Sequence, residues 1–285
     1  MENLFFKQVS VIGVGFLGSS FAVAIRKRGL CNTIYGFSRD PKNLEKAKLR
    51  GIIDNYSLDI REICEGSDLI VLATPVGVFL QIINEIKGVA KNNCIITDVG
   101  SIKGRLVYEI ESVMPEKVFY IGSHPIAGGE KSGADNAKAD LFNKALCIIT
   151  PTENSNPEAL SILTNLWKSL GSKVELMNPY KHDEVYALVS HLPHLTAYAL
   201  VNLVSDINED FIRFAGQGFK DTTRIAMSPP EIWRDISALN KENLIKFIGI
   251  LKDNLSKMEG LLIENNFVSL ENEFRRSQRL REKLK

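Results

Sequence analysis

The chain has 285 residues, enough for about two domains at roughly 100–200 residues apiece and for a large buried core. Hydrophobic residues make up 45%, charged residues 24%, and the formal net charge is +1. That balance argues against a general electrostatic attraction to nucleic acid or to anionic membranes, so an acidic small molecule would have to be held by a few locally placed basic groups.

In chain order, Val9–Gly13 reads as a strand and Leu17–Arg28 as a helix. Thr33–Phe37 is a second strand, and Pro41–Arg50 a helix opened by proline in its first turn. Asp68–Ala73 is a continuous apolar run, as expected of a strand buried on both faces. Val78–Ile86 is helical, Cys94–Asp98 a strand, Lys103–Val113 a helix, and Phe119–Ile121 and Ala145–Thr150 short strands. Pro157–Leu170 is a helix stopped by Gly171, and Lys173–Leu176 a last strand. This alternation predicts a parallel, doubly wound sheet. The pattern changes near Asn178. From Lys181 onward the chain reads as helices only, with long 3.6-period segments at Glu184–Val204, Pro230–Ile263 and Ser269–Lys285. We therefore expect an α/β domain over residues 1–178 and a helical domain over 179–285. Its long amphipathic helices either form a dimer interface or simply pack on one another.

Cys31, Cys64, Cys94 and Cys147 are far apart and form no C-x-x-C, the pattern of reduced thiols in a cytoplasmic protein. The apolar run after Lys7 is too short for a signal peptide and leads into a glycine-rich turn. No stretch approaches the ~18–20 consecutive apolar residues expected of a membrane span.

The strongest local motif is G-x-G-x-x-G at Gly13, Gly15 and Gly18, between the first strand and the first helix. That is the context a dinucleotide fingerprint requires. Gly13 makes the tight turn, Gly15 lets the backbone approach a pyrophosphate, and Gly18 allows close helix–sheet packing. With Phe16 and Leu17 they open the helix whose free N–H groups face the phosphates. The end of the second strand bears on the choice of cofactor. An NAD enzyme usually carries an acid there for the ribose 2′-hydroxyl, whereas this chain has Ser38 and then Arg39. Both can hydrogen-bond a 2′-phosphate, so we expect NADP to be preferred over NAD. The alternative is that Arg39 lies over the adenine and Asp40 turns back to the ribose, leaving NAD or mixed use. Thr74 and Pro75 follow the next apolar strand and suit a loop edging the cofactor, or plain structure.

Ligands of open α/β sheets bind beyond the carboxyl ends of the strands. Ser101 follows one such strand, and His124 follows another in a glycine-rich loop. A dehydrogenase oxidising an alcohol must remove the hydroxyl proton, and imidazole, with an unperturbed pKa of roughly 6.5, is a natural acceptor. Ser101 could bond the same hydroxyl, or cap the following helix. His191 and His194 lie three apart on one helix face, with Pro193 either kinking that helix or starting a new one. No third metal ligand accompanies them, so hydrogen bonding to an anionic substrate is the expected use and no metal is expected. Lys220, Asp221 and Arg224 sit in a glycine-loosened segment. Arg224 has the fork to hold a carboxylate, or else pairs with Asp221. Unaided, these residues indicate an NAD(P) oxidoreductase acting on a carboxylate-bearing alcohol, or a dinucleotide-sensing protein without catalysis.

The motifs resemble those of the prephenate/arogenate dehydrogenases. G-V-G-F-L-G, D-V-G-S-I-K-G, G-S-H-P-I-A-G-G-E-K-S-G, S-H-L-P-H, G-F-K-D-T-T-R-I-A and W-R-D occur in that family's order over essentially the whole chain. The resemblance implies a Rossmann-type domain followed by a helical dimerisation domain. It implies oxidative decarboxylation of prephenate or arogenate, on the route to tyrosine, by a homodimer. It makes His124 the acceptor of the ring C4 hydroxyl and Ser101 a contact to that hydroxyl. His194 and Arg224 correspond to carboxylate-binding groups. Glu130, Lys220, Asp221 and Trp233 line or support the pocket, and His191 supports it from behind. Two departures stand out: Ser38-Arg39 replaces the acid of many NAD-using members, and Gly129 stands where some members carry a side chain able to bond. With no regulatory βαββαβ module or fused mutase in the sequence, we expect no allosteric feedback through such a module, and competition by tyrosine at the active site stays open.

Overall fold

A computed structural model describes residues 5–129 and 133–284. β1 (Phe6–Ile12) runs into the glycine turn, and α1 (Phe16–Lys27) brings the chain back to β2 (Cys31–Phe37), parallel to β1. α2 (Pro41–Leu49) is capped by Asp40, whose carboxylate accepts the Lys42 N–H at 3.0 Å. Two short pieces, β3 (Asn55–Tyr56) and α3 (Ile60–Cys64), fall where the sequence pattern gave no element. β4 (Leu69–Leu72) is buried along its whole length and is followed by a 3₁₀ turn at Val76–Val78 and α4 (Phe79–Ile86). β5 (Ile95–Asp98), α5 (Gly104–Glu111), β6 (Phe119–Pro125), β7 (Leu146–Thr150), α6 (Pro157–Ser169) and β8 (Lys173–Leu176) complete this half. Gly171, at φ +94°, turns the chain out of α6 where a residue with a Cβ would be strained.

The eight strands form one sheet in the order β3-β2-β1-β4-β5-β6-β7-β8. The strand order reverses between β1 and β4, the switch point at which such sheets bind ligands. All neighbours are parallel except β6 and β7, which pair antiparallel from Gly122–Thr150 to Pro125–Cys147. This corrects two expectations. The sheet is mixed rather than wholly parallel. β6 continues past Ile121 because β7 extends its ladder, so His124 stands within the strand opposite Ile148 and not in the loop beyond it.

The second half is helical. α7 (Pro179–Tyr186) runs through a wide π turn at Ala187–His191 into α8 (Leu192–Asn208). Pro193 therefore sits in the first turn of α8, directly after the π turn. The run Pro179–Phe214 is long and apolar enough to cross a membrane by length and composition alone. This corrects the count of unbroken apolar stretches, because averaging over a helix tolerates scattered polar residues. α9 (Gln217–Thr223), α10 (Pro230–Leu239), α11 (Lys241–Ile263) and α12 (Phe267–Arg281) follow. The single helix expected over Pro230–Ile263 breaks at Asn240, whose buried side-chain amide donates 2.9 Å to the Asp183 carbonyl.

One face of the sheet packs around Trp167, which meets the rings of Phe21 and Phe142 edge-on at 5.7 and 5.3 Å. On the other face, Ile236 and Trp233 of α10 join the cluster of Val76, Phe79 and Ile83, so the helical half docks directly on the turn after β4. Gly77 leaves room for that docking, since a Cβ there would lie 2.5 Å from the Asp235 carboxylate. Trp167 has no accessible surface, so Trp167→Ala should cost about 3–5 kcal/mol. A clearly lower Tm with unchanged secondary structure is the expected result of a thermal melt, and an unaltered Tm would contradict this placement of the core.

Candidate active site

The glycine turn is built as tightly as its motif demands. Gly13 adopts φ +102°, and a Cβ there would lie 2.5 Å from the Ala73 carbonyl oxygen. A Cβ on Gly18 would lie 2.0 Å from the Gly13 oxygen, so β1 and α1 meet at a distance only glycine permits. Gly15 caps α1 without any side chain, and the space where its Cβ would stand is open. The first N–H groups of α1, at Phe16 and Leu17, are thus offered to an anion. Across the turn, the hydroxyl of Thr74 is buried without a partner among the described residues, beside the exposed Pro75. An orphaned hydroxyl, an open glycine and an uncapped helix end fit a dinucleotide pyrophosphate and its neighbouring groups.

At the end of β2, the Ser38 hydroxyl accepts the Asp40 N–H at 3.2 Å, while Asp40 caps α2. Arg39 is exposed, with no ion pair among the described residues.

A second cluster lies where β5 and β6 meet α7. The Nδ1 of His124 is 2.8 Å from Nε2 of His182, and Nδ1 of His182 is 2.8 Å from Oδ1 of Asp183. That same oxygen accepts the Lys103 N–H at 2.8 Å. Asp183 therefore occupies the capping place at the start of α5 that Ser101 was expected to be able to fill; Ser101 itself makes no hydrogen bond among the described residues. Lys103 is fully buried, and its ammonium group donates to Asp98 at 2.6 Å and to the Gly100 carbonyl at 2.7 Å. Asp98 also accepts the Tyr120 hydroxyl at 2.7 Å. The His124 ring rests against Tyr186 with centroids 4.7 Å apart, and its Nε2 has no partner among the described residues.

His194 stacks on Trp233, centroids 3.5 Å apart, and its Nδ1–H donates to the Ser190 carbonyl at 2.9 Å, leaving Nε2 as an acceptor in the neutral ring. His191 is buried edge-on to Trp233, its Nδ1 accepting from Asn240 at 3.1 Å and its Nε2 without a partner among the described residues. Arg224 lines a cleft of about 1020 Å³ together with Phe16, Gly128, Gly129 and Ser228. Its charge reaches His194, whose pKa is lowered by burial first and by Arg224 next. Cofactor turn and helical half thus face one space. Lys220 and Asp221 do not join it. Both are exposed on α9, where Asp221 accepts the Gln217 amide at 2.8 Å. Glu130 lies outside the described residues. The reading of the sequence missed His182, Asp183, Lys103 and Asn240; the available signal was a His-Asp pair just past the domain change in a chain with four histidines.

A dinucleotide-binding sheet joined to a helical half across an arginine-lined cleft defines a two-domain nicotinamide-dinucleotide dehydrogenase. Residues 21–176 match the nucleotide-binding domain of prephenate dehydrogenase, and residues 178–276 match the dimerization domain of prephenate dehydrogenase. The chain belongs to the prephenate dehydrogenase family. It is 30% identical to the cyclohexadienyl dehydrogenase of Zymomonas mobilis over 98% of its own length and 97% of that protein. It is 34% identical to the prephenate dehydrogenase of Bacillus subtilis over 83% of its length, spanning 65% of that enzyme. The crystal structure of Aquifex aeolicus prephenate dehydrogenase with hydroxyphenyl propionate and NAD+ superposes with a TM-score of 0.94 at 35% identity, covering 100% of both chains.

The buried imidazoles make the fold acid-sensitive. Burial lowers the His191 pKa to about 4 from 6.5, and burial lowers those of His124 and His182 as well. The unfolded chain binds these protons at a higher pH than the fold does, so stability is lost as pH falls from about 6.5. For His191 alone the shift corresponds to about 3 kcal/mol. Asp183, raised by burial, acts in the opposite sense over the acid part of that range. Three imidazoles outweigh one carboxyl, so Tm should drop between about pH 7 and about pH 4. A flat Tm across that interval would contradict the burial described here.

Proposed function

We propose that this chain oxidatively decarboxylates prephenate to 4-hydroxyphenylpyruvate on the route to tyrosine, with NAD(P)+ as hydride acceptor. The observation that carries this reading is the shared cleft, in which Phe16 of the glycine turn and Arg224 of the helical half face the same space. Gly13, Gly15, Phe16, Leu17, Gly18, Thr74 and Pro75 would hold the dinucleotide, and the nicotinamide, when bound, supplies the hydride acceptor. His124 takes the C4 hydroxyl proton, and Ser101 bonds the same hydroxyl. Arg224 and the stacked His194 hold substrate carboxylate, and Trp233 holds His194. Lys220 and Asp221, exposed on α9 outside the cleft, are given no part in holding substrate, and for Glu130 the pocket role rests on the family resemblance alone. Loss of the ring carboxylate as CO2 leaves an aromatic ring, so the protein has mainly to orient the substrate and offset its negative charge.

Residues 1–178 serve the cofactor in this proposal, and residues 179–285 serve the substrate and self-association. A homodimer is supported by the apolar residues that the helices leave exposed, among them Leu203, Ile207, Phe211, Ile245 and Phe274. The cytoplasm is the proposed compartment, in keeping with four free thiols. A second reading, use of arogenate or of both substrates, is favoured by the similarity to a cyclohexadienyl dehydrogenase. Assays with prephenate and with arogenate separate the two.

His124→Asn should lose most of kcat with little change in KM, by a factor on the order of 10²–10⁴. Arg224→Gln should mainly raise KM for prephenate. The reverse pattern would overturn these roles. We further propose NADP over NAD, supported by the exposed guanidinium of Arg39, which has no ion pair among the described residues, and by the capping role of Asp40. A charge-assisted bond to the 2′-phosphate contributes roughly 1.5–3 kcal/mol, so kcat/KM should favour NADP+ by about ten- to a hundredfold. A clear preference for NAD+, the cofactor in the Aquifex complex, would refute it.

A further inference from the structure

We infer that His182 and Asp183 are positioning residues that fix His124 in the tautomer protonated at Nδ1 and bare at Nε2. The inference rests on the reading of His124 as proton acceptor and adds the means by which it is readied. The argument starts at Asp183. Its Oδ1 accepts the Lys103 N–H at the first turn of α5, where a helix end favours the anion. A Cβ on Gly104 would stand 2.3 Å from Oδ2, so the other carboxylate oxygen is pressed against the same helix start. A carboxylate there accepts and does not donate. The nitrogen 2.8 Å from it, His182 Nδ1, must then be the donor.

A neutral imidazole carries one proton, and burial keeps His182 neutral. With Nδ1 protonated, its Nε2 has only a lone pair. The partner at 2.8 Å, His124 Nδ1, must therefore donate. That leaves the lone pair of His124 on Nε2, the nitrogen with no partner among the described residues. When the substrate hydroxyl gives up its proton, the proton goes to this Nε2 and His124 becomes an imidazolium. Its Nδ1–H then bonds His182 Nε2 as a charge-assisted donor, with the one ring of His182 between it and the Asp183 carboxylate.

His182 and Asp183 belong to α7 and His124 to β6, so two elements on either side of the domain change jointly set one proton's place. The arrangement is held from behind. Asn240 donates to the Asp183 carbonyl at 2.9 Å and to His191 at 3.1 Å, which keeps the turn carrying Asp183 in register with α11. Neither Asp183 nor His182 is placed to touch substrate, since both are buried.

The test uses 15N-labelled wild-type protein saturated with NAD+. Imidazole nitrogen shifts assigned to His124 should show the neutral ring protonated at Nδ1 and bare at Nε2; a proton on Nε2 overturns the inference without any substitution. Kinetics give an independent check. His182→Leu removes both bonds and should lower kcat on the order of a hundredfold, with KM for prephenate and NAD+ affinity unchanged. His182→Gln can accept from His124 and donate to Asp183, so it should recover most of that loss. Equal losses in both variants, or none in His182→Leu, would sink the inference. Should His124→Asn keep its kcat, the reading of His124 as acceptor fails instead, and the two failures are thereby told apart.

Discussion

The Asp183 carboxylate is the constraint on which the rest of the site hangs. It is buried, yet it serves the N-terminus of α5, the ring of His182 and, through its own backbone carbonyl, Asn240 at the α10–α11 break. An uncompensated charge in such a place would be expensive. Here the cost is offset by backbone N–H groups at a helix start, the kind of donor that needs no counterion. Helical half and sheet are thus joined by a polar contact that cannot be satisfied separately in either.

Beneath it lies a second buried charge system. Lys103 and Asp98 have no accessible surface, and each is tied to further donors or acceptors. Such pairs contribute less to stability than their short distances suggest, because desolvation opposes the attraction. Their value is in specifying geometry. Lys103 fastens the loop carrying Ser101 to the end of β5, and its positive charge discourages protonation of the histidines above it. A base that starts neutral can accept a proton: burial and the local field keep His124 neutral, while its bond to His182 leaves the lone pair on Nε2 and steadies the imidazolium once it forms.

Much of this was legible in the sequence. The glycine turn announces itself because its chemistry is local: one tight turn, one open position and one close approach, each requiring the absence of a Cβ at a fixed spacing. The strands of the first half are legible because burial on both faces makes them continuously apolar. The relay was not legible, since His182 and His124 are 58 residues apart and no spacing rule connects them. Nor could the sequence show that β6 would run on to Pro125, because an antiparallel neighbour, β7, decides its length. Ser101 looked like a helix cap for a sound reason, its type and place, but a carboxylate from a distant helix took the position. The break at Asn240 is another such case. A 3.6-residue pattern continues through it, and only tertiary hydrogen bonds make that residue leave the helix.

The wide turn at Ala187–His191 has a geometric consequence for reading relatives of this chain. An ordinary α-helix advances about 100° per residue, and a π turn takes up one extra residue without breaking the rod. His182 ahead of it points to β6, while His194 after it lies against Trp233. Threaded as one uninterrupted helix, the same residues would be about 100° out of phase, and only one of the two rings could meet its neighbour. A relative one residue shorter between these histidines would therefore, as an ordinary α-helix, keep the same downstream setting, whereas one of equal length without the wide turn would not.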